Sequence, residues 1–107
     1  LITEEYLPHI KAKEMNEYSN QKVLLYGKLV TTRYNKTSQG KLMRLSTFID
    51  VDGNYFDAVH FTNVVNIYPI NGIGVYGCYG KITNRFGFYS MNIIQSKKMS
   101  IAENPRY

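Results

Sequence analysis

Residues 55–69 read YFDAVHFTNVVNIYP, and the hydrophobic period changes inside them. From Tyr55 to Phe61 side chains alternate and β-branched and aromatic residues dominate, which predicts a strand. Burying an unpaired carboxylate is costly, so Asp57 faces outward with Tyr55 and Val59, leaving Phe56 and Ala58 inward. From Thr62 the apolar residues fall at Val64, Val65 and Tyr68, a short helical spacing that Pro69 stops. The segment therefore predicts a strand that runs straight into a short helix.

Strand signals lie on both sides of it. Upstream, VLLYGKLVTTRY after Lys22 predicts a long first strand, with Gly27 marking a bulge or tight bend. Asn35 to Gly40 is a polar turn, Lys41 to Val51 a second strand, and Asp52-Gly53-Asn54 a hairpin turn. Downstream, Asn71-Gly72 is a turn, and Gly74 to Thr83 and Phe88 to Lys97 are two strands joined by Asn84-Arg85-Phe86-Gly87. Residues 1–20 form a lead-in whose helical stretch is Ala12 to Tyr18; residues 21–107 form the barrel and a C-terminal tail. Five strands with a helix between the third and fourth is the order of the OB-fold, an all-β Greek-key barrel. Gly27, Gly77 and Gly80 suit its bends.

A length of 107 residues allows one domain. The single Cys78 excludes a disulfide framework and a multi-cysteine zinc site. No apolar run is long enough for a transmembrane helix, and Glu4 and Glu5 stand where a secretion signal would carry Lys or Arg. A cytoplasmic module is expected, and the opening at Leu1 suggests a piece of something longer. The formal net charge is +5, unevenly distributed. Residues 21–49 hold six Lys and Arg and no acid, residues 50–80 three Asp and no base, residues 81–98 four bases and no acid. Segregation of this kind in a domain with ten Tyr and five Phe points to a polyanion partner.

Little in the chain could carry catalysis. His9 and His60 are the only imidazoles, and Asp50, Asp52 and Asp57 read as strand-end and turn residues rather than metal ligands. Cys78 alternates inward between glycines and reads as an inert buried thiol. The glycines from Gly72 to Gly80 lie in a strand with no Lys-Ser/Thr step, so they form no phosphate loop. No catalytic residue, metal or cofactor is expected.

Binding is the stronger reading. In the first strand, alternation puts Lys22, Leu24, Tyr26 and Lys28 outward and Val23, Leu25 and Leu29 inward; in the fourth, Tyr76, Cys78, Gly80 and Ile82 face inward. Tyr34, Tyr55, Phe61, Phe86 and Phe88 find no place in that core. OB-folds grip single strands across the second and third strands, between the first-to-second and fourth-to-fifth loops. Here those loops carry Arg33, Tyr34, Lys36 and Lys41, then Arg85, Phe86 and Phe88. Cations serve phosphates and rings serve bases.

The run Gly27-Lys28-Leu29-Val30-Thr31-Thr32-Arg33-Tyr34, followed by Lys36-Thr37 and Gly40-Lys41-Leu42-Met43, resembles an OB domain of bacterial replicative polymerases. That domain lies near the C-terminal end of the DNA polymerase III alpha subunit. The likeness continues through Thr47-Phe48-Ile49-Asp50, Gly53, Phe56-Asp57-Ala58-Val59-His60-Phe61, Tyr68-Pro69, Gly74-Val75-Tyr76, Gly80-Lys81 and Phe86-Gly87-Phe88. It ends at Asn104-Pro105-Arg106-Tyr107 and covers roughly residues 7–107. Two departures are a third strand one residue longer near Asn54-Tyr55 and a very short loop from Arg85 to Gly87.

The resemblance implies a non-catalytic module that holds single-stranded template, the catalytic aspartates lying in a palm domain absent here. Lys36, Lys41 and Met43 match the family's loop, and Arg33 and Tyr34 stand where members carry polar or basic residues. Single-stranded DNA, other domains of the parent polymerase and replisome subunits are the implied partners, with no membrane. Two alternatives remain: an anticodon-binding OB domain of an aminoacyl-tRNA synthetase, and a protein-interaction OB domain with its rings covered by a partner.

Overall fold

The computed structural model describes residues 7–100. A 3-10 helix, Ala12–Glu17, precedes β1 (Lys22–Lys36), β2 (Leu42–Ile49) and β3 (Tyr55–His60). A single helical turn, α1 (Thr62–Val65), leads to β4 (Val75–Arg85) and β5 (Phe88–Lys98). The strands close a barrel in the order β1-β2-β3-β5-β4. All neighbours are antiparallel except β3 and β5, which meet in parallel over Asp57–Val59 and Ser90–Asn92. This is the OB-fold. The helix is shorter than Thr62 to Tyr68: α1 ends at Val65, although the Tyr68 N–H still reaches the Val64 carbonyl. The C-terminal resemblance at Asn104 to Tyr107 lies outside the described residues. Among the described residues, no helix is long and apolar enough to cross a membrane.

The core forms where inward positions of all five strands meet. Phe48 and Phe56 stack with centroids 5.3 Å apart, and Tyr76 packs edge-on to Phe48 at 5.8 Å. The Tyr76 hydroxyl, pointing out of this apolar centre, donates to the Gly72 carbonyl and accepts from the Asn71 N–H. Gly27 lets the rings sit there, since a Cβ on it would lie 2.7 Å from both Phe48 and Phe56. It is not a bulge. The bulge is at Val30, which has no partner on β2 between the pairs Leu29–Phe48 and Thr31–Thr47. An extra residue reverses the facing of everything after it, with consequences for the site.

Leu24 corrects the alternation, because it is 5% exposed rather than outward in water. β2 pairs with β1 only from Lys28 onward, leaving an open edge before it. Residues 8–10 take that edge: the Leu24 N–H donates to the Pro8 carbonyl, and the Ile10 N–H to the Leu24 carbonyl. The His9 ring meets Tyr26 edge-on at 4.9 Å. Covering an edge in this way removes a template for aberrant pairing. Ile10 and Met15 then enter the core itself. Asp50 ties the same segment down from the other side, as its two carboxylate oxygens accept from the Ala12, Asp52 and Asn54 N–H groups.

His60 ends β3 fully buried, with Nε2 at 3.1 Å from the Ser96 hydroxyl and Nδ1 without a partner among the described residues. Burial, with a smaller contribution from the Arg44 charge, pushes its pKa down to about 4. The unfolded chain takes up that proton near 6.5, so between these values it binds more protons than the native state. Stability should therefore fall as pH drops from 6.5 toward 4. Thermal melts across that range should show a flatter slope for His60→Gln than for the parent; equal slopes would locate the acid sensitivity elsewhere.

Candidate nucleic-acid interface

The outer face of β1–β3 and the β4–β5 hairpin enclose a groove. Its inner part, about 280 Å³, is lined by Thr31, Arg33, Leu45, Thr47, Asp57 and Val59 among others. The outer part, about 790 Å³, shares Leu45, Asp57 and Val59 and adds Met43, Phe61, Asn92 and the hairpin residues Arg85, Phe86 and Phe88. Register explains the membership. Arg33 pairs with Leu45 and Asn35 with Met43, so these odd-numbered positions share the groove face after the bulge. Asp57 opposes Thr47 and Val59 opposes Leu45 on the next strand.

The hairpin is built to present rings. Arg85 pairs with Phe88, so Phe86 and Gly87 form a two-residue loop, and both have positive φ, 55° and 84°. Such primed turns match the twist of the strands, but a bulky residue in the left-handed region carries strain of about 1–3 kcal/mol. The Asn84 side-chain oxygen holds the turn by accepting from the Gly87 N–H at 2.9 Å. Phe86 is 96% exposed and Phe88 81%, an unfavourable outcome for two large apolar rings unless they meet something. Phe61, at the opposite wall, is partly exposed as well.

The structure thus brings together Arg33, Met43, Phe61, Arg85, Phe86 and Phe88 from the sequence-derived set. Lys41 stands one step away, across Phe61, beside Thr62, Asn63 and Asn66. Tyr34, Lys36 and Tyr55 are not in the groove. Tyr34 pairs with Arg44 on the reverse side of the β1–β2 ribbon, its ring 4.4 Å beneath the Arg44 guanidinium. Arg44 is in turn fixed by a hydrogen bond from Nε to the Thr32 hydroxyl. Lys36, opposite Leu42, is on Tyr34's side. Tyr55 starts β3 opposite Ile49, beside the Asp50–Asn54 turn and at the far end from the loops.

Sequence reasoning did not single out Leu45, Val59, Thr31 or Asn92 as lining, and it set Asp57 outward without giving it a role. The outward parity of Asp57 and Val59 in the third strand was the available signal. Cys78 is fully buried, which pushes its thiol up to about 12 and leaves it unreactive. Among the described residues no group of three or more His, Cys, Asp or Glu is placed to hold a metal ion.

No protein-family model and no curated protein matches the sequence. Solved structures match the fold. The single-stranded DNA binding protein of Thermus aquaticus superposes with a TM-score of 0.63 at 11% identity, over 74% of this chain and 40% of that one. Replication protein A of U. maydis bound to ssDNA gives 0.56 at 16% identity, over 90% of this chain and 75% of that one. The N-terminal domain of PriB from Thermoanaerobacter tencongensis gives 0.60 at 10% identity, over 77% of this chain and 99% of that one. The chain therefore spans less than half of the Thermus chain. At such identities the likeness is one of fold.

Proposed function

We propose that this domain binds single-stranded DNA in the groove between β2, β3 and the β4–β5 hairpin, without catalysing a reaction. The observation that carries this is three exposed rings, Phe61, Phe86 and Phe88, lining the outer part of the groove together with Arg85, with Arg33 in the adjoining inner part. Bases can stack on the rings whatever their sequence, while the guanidinium groups meet phosphates. The OB-folds of similar shape that are described as single-stranded DNA binders support the reading.

The sequence resemblance supports a finer proposal: a template-holding, cytoplasmic module of a replicative DNA polymerase, with other polymerase domains and replisome subunits as neighbours. Catalysis would then belong to the rest of that polymerase, and this domain should show no metal-dependent hydrolase or polymerase turnover. Turnover that is lost on replacing Asp50, Asp52 or Asp57 would overturn that assignment.

The electrostatic part has its own test. Each phosphate contact adds about 0.7 to the slope of log affinity against log salt on a single strand. Arg33→Ala and Arg85→Ala should each lower the slope by about that amount, for every sequence alike. Fluorescence anisotropy over a salt series measures it, and slopes equal to the parent's would place the strand elsewhere. Lys41→Ala should act the same way if the strand continues past Phe61; Lys36→Ala, on the reverse of the ribbon, should have the smaller effect.

A further inference from the structure

We propose that Asp57 makes the groove selective for guanine at one position of the bound strand, an inference that rests on the single-strand reading above. Among the described residues Asp57 is the one acid lining the groove, and it sits where the inner and outer parts of the groove join. A carboxylate in a polyanion site repels phosphate, so the backbone is held away from it, toward the Arg33 and Arg85 guanidinium groups. Base edges then face the sheet.

One oxygen of the carboxylate is held by a neighbouring hydroxyl. The Thr47 hydroxyl donates to Asp57 Oδ1 at 2.7 Å, while Oδ2 has no hydrogen-bond partner among the described residues. An ionised carboxylate only accepts hydrogen bonds. In a single strand the Watson–Crick edge of guanine offers two adjacent donors, N1–H and the 2-amino group, which match the two oxygens of one carboxylate. Cytosine and adenine offer one amino donor beside an acceptor nitrogen. Thymine offers one N–H flanked by two carbonyl oxygens, which the carboxylate repels. Oriented bidentate contacts of this kind discriminate between bases far better than stacking does.

The test uses a dT oligomer of about eight nucleotides and versions with one central thymine replaced by guanine or by hypoxanthine, which lacks the 2-amino group. Anisotropy at fixed salt should show the guanine oligomer bound about tenfold more tightly than dT, with hypoxanthine losing most of that gain. Asp57→Asn can still accept from Thr47, and it should tighten dT binding and abolish the guanine preference. Equal affinities for the guanine and dT oligomers, or a preference that survives in Asp57→Asn, overturn the proposal while leaving single-strand binding intact. Failure of the parent to bind any of the oligomers overturns both. The hypoxanthine comparison needs no variant, so it stands even if Asp57→Asn folds poorly.

Discussion

Replacing Phe88 by Ala is expected to weaken binding of an oligo-dT strand by about 1–3 kcal/mol, the usual worth of one base–aromatic stack. At about 1.4 kcal/mol per factor of ten, this is a loss of roughly five- to 150-fold in affinity. The salt slope should not change, because a ring releases no counterions. Nor should the melting temperature, because a side chain 81% exposed gives up almost no buried surface. The combination is diagnostic. A core phenylalanine would show the reverse, a large drop in melting temperature with binding lost only through unfolding. Tyr34→Ala is the matched control: its ring is held under Arg44 on the reverse of the ribbon, so it should cost little binding.

The largest effect on stability is expected at Asp50. Its side chain is 3% exposed and accepts three backbone hydrogen bonds, from Ala12 at 2.9 Å, Asp52 at 3.0 Å and Asn54 at 2.9 Å. Asp50→Ala strands those donors in a part-buried site, at about 1–3 kcal/mol for each that water cannot reach. A total near 3 kcal/mol would lower the melting temperature of a domain this size by roughly 10–20 °C. Asp50→Asn should do less damage, since its side-chain oxygen can still accept within the turn. Melting of Asp50→Ala within a degree or two of the parent would mean that the Asp50 hydrogen bonds contribute little to holding the 3-10 helix.

The barrel was legible in the sequence because period-two alternation and turn residues are local signals. The five strands, the helical turn before Pro69 and the inward set Phe56, Ala58, Tyr76, Cys78 and Ile82 are where alternation puts them. What alternation could not show was a change of parity. Carried unbroken past Lys28, it groups Tyr34 with the outward residues of β1. The unpaired Val30 turns Tyr34 to the reverse face and Arg33 into the groove. Leu24 was misread for a different reason: its environment is set by residues 8–10, fourteen or more positions away, which leave no trace in the strand's own pattern. The hairpin rings were legible because Phe86-Gly87 sits in a turn too short to bury them.

The groove stands or falls on strand state. Anisotropy of labelled oligo-dT and of duplex DNA of the same length, over a salt series, tests it most directly. Oligo-dT should bind at low salt with an affinity on the order of micromolar, lose it steeply as salt rises, and bind more tightly than the duplex, whose bases are not available for stacking. Duplex binding equal to or tighter than oligo-dT, or no binding of oligo-dT at low salt, would contradict a stacking groove at Phe61, Phe86 and Phe88.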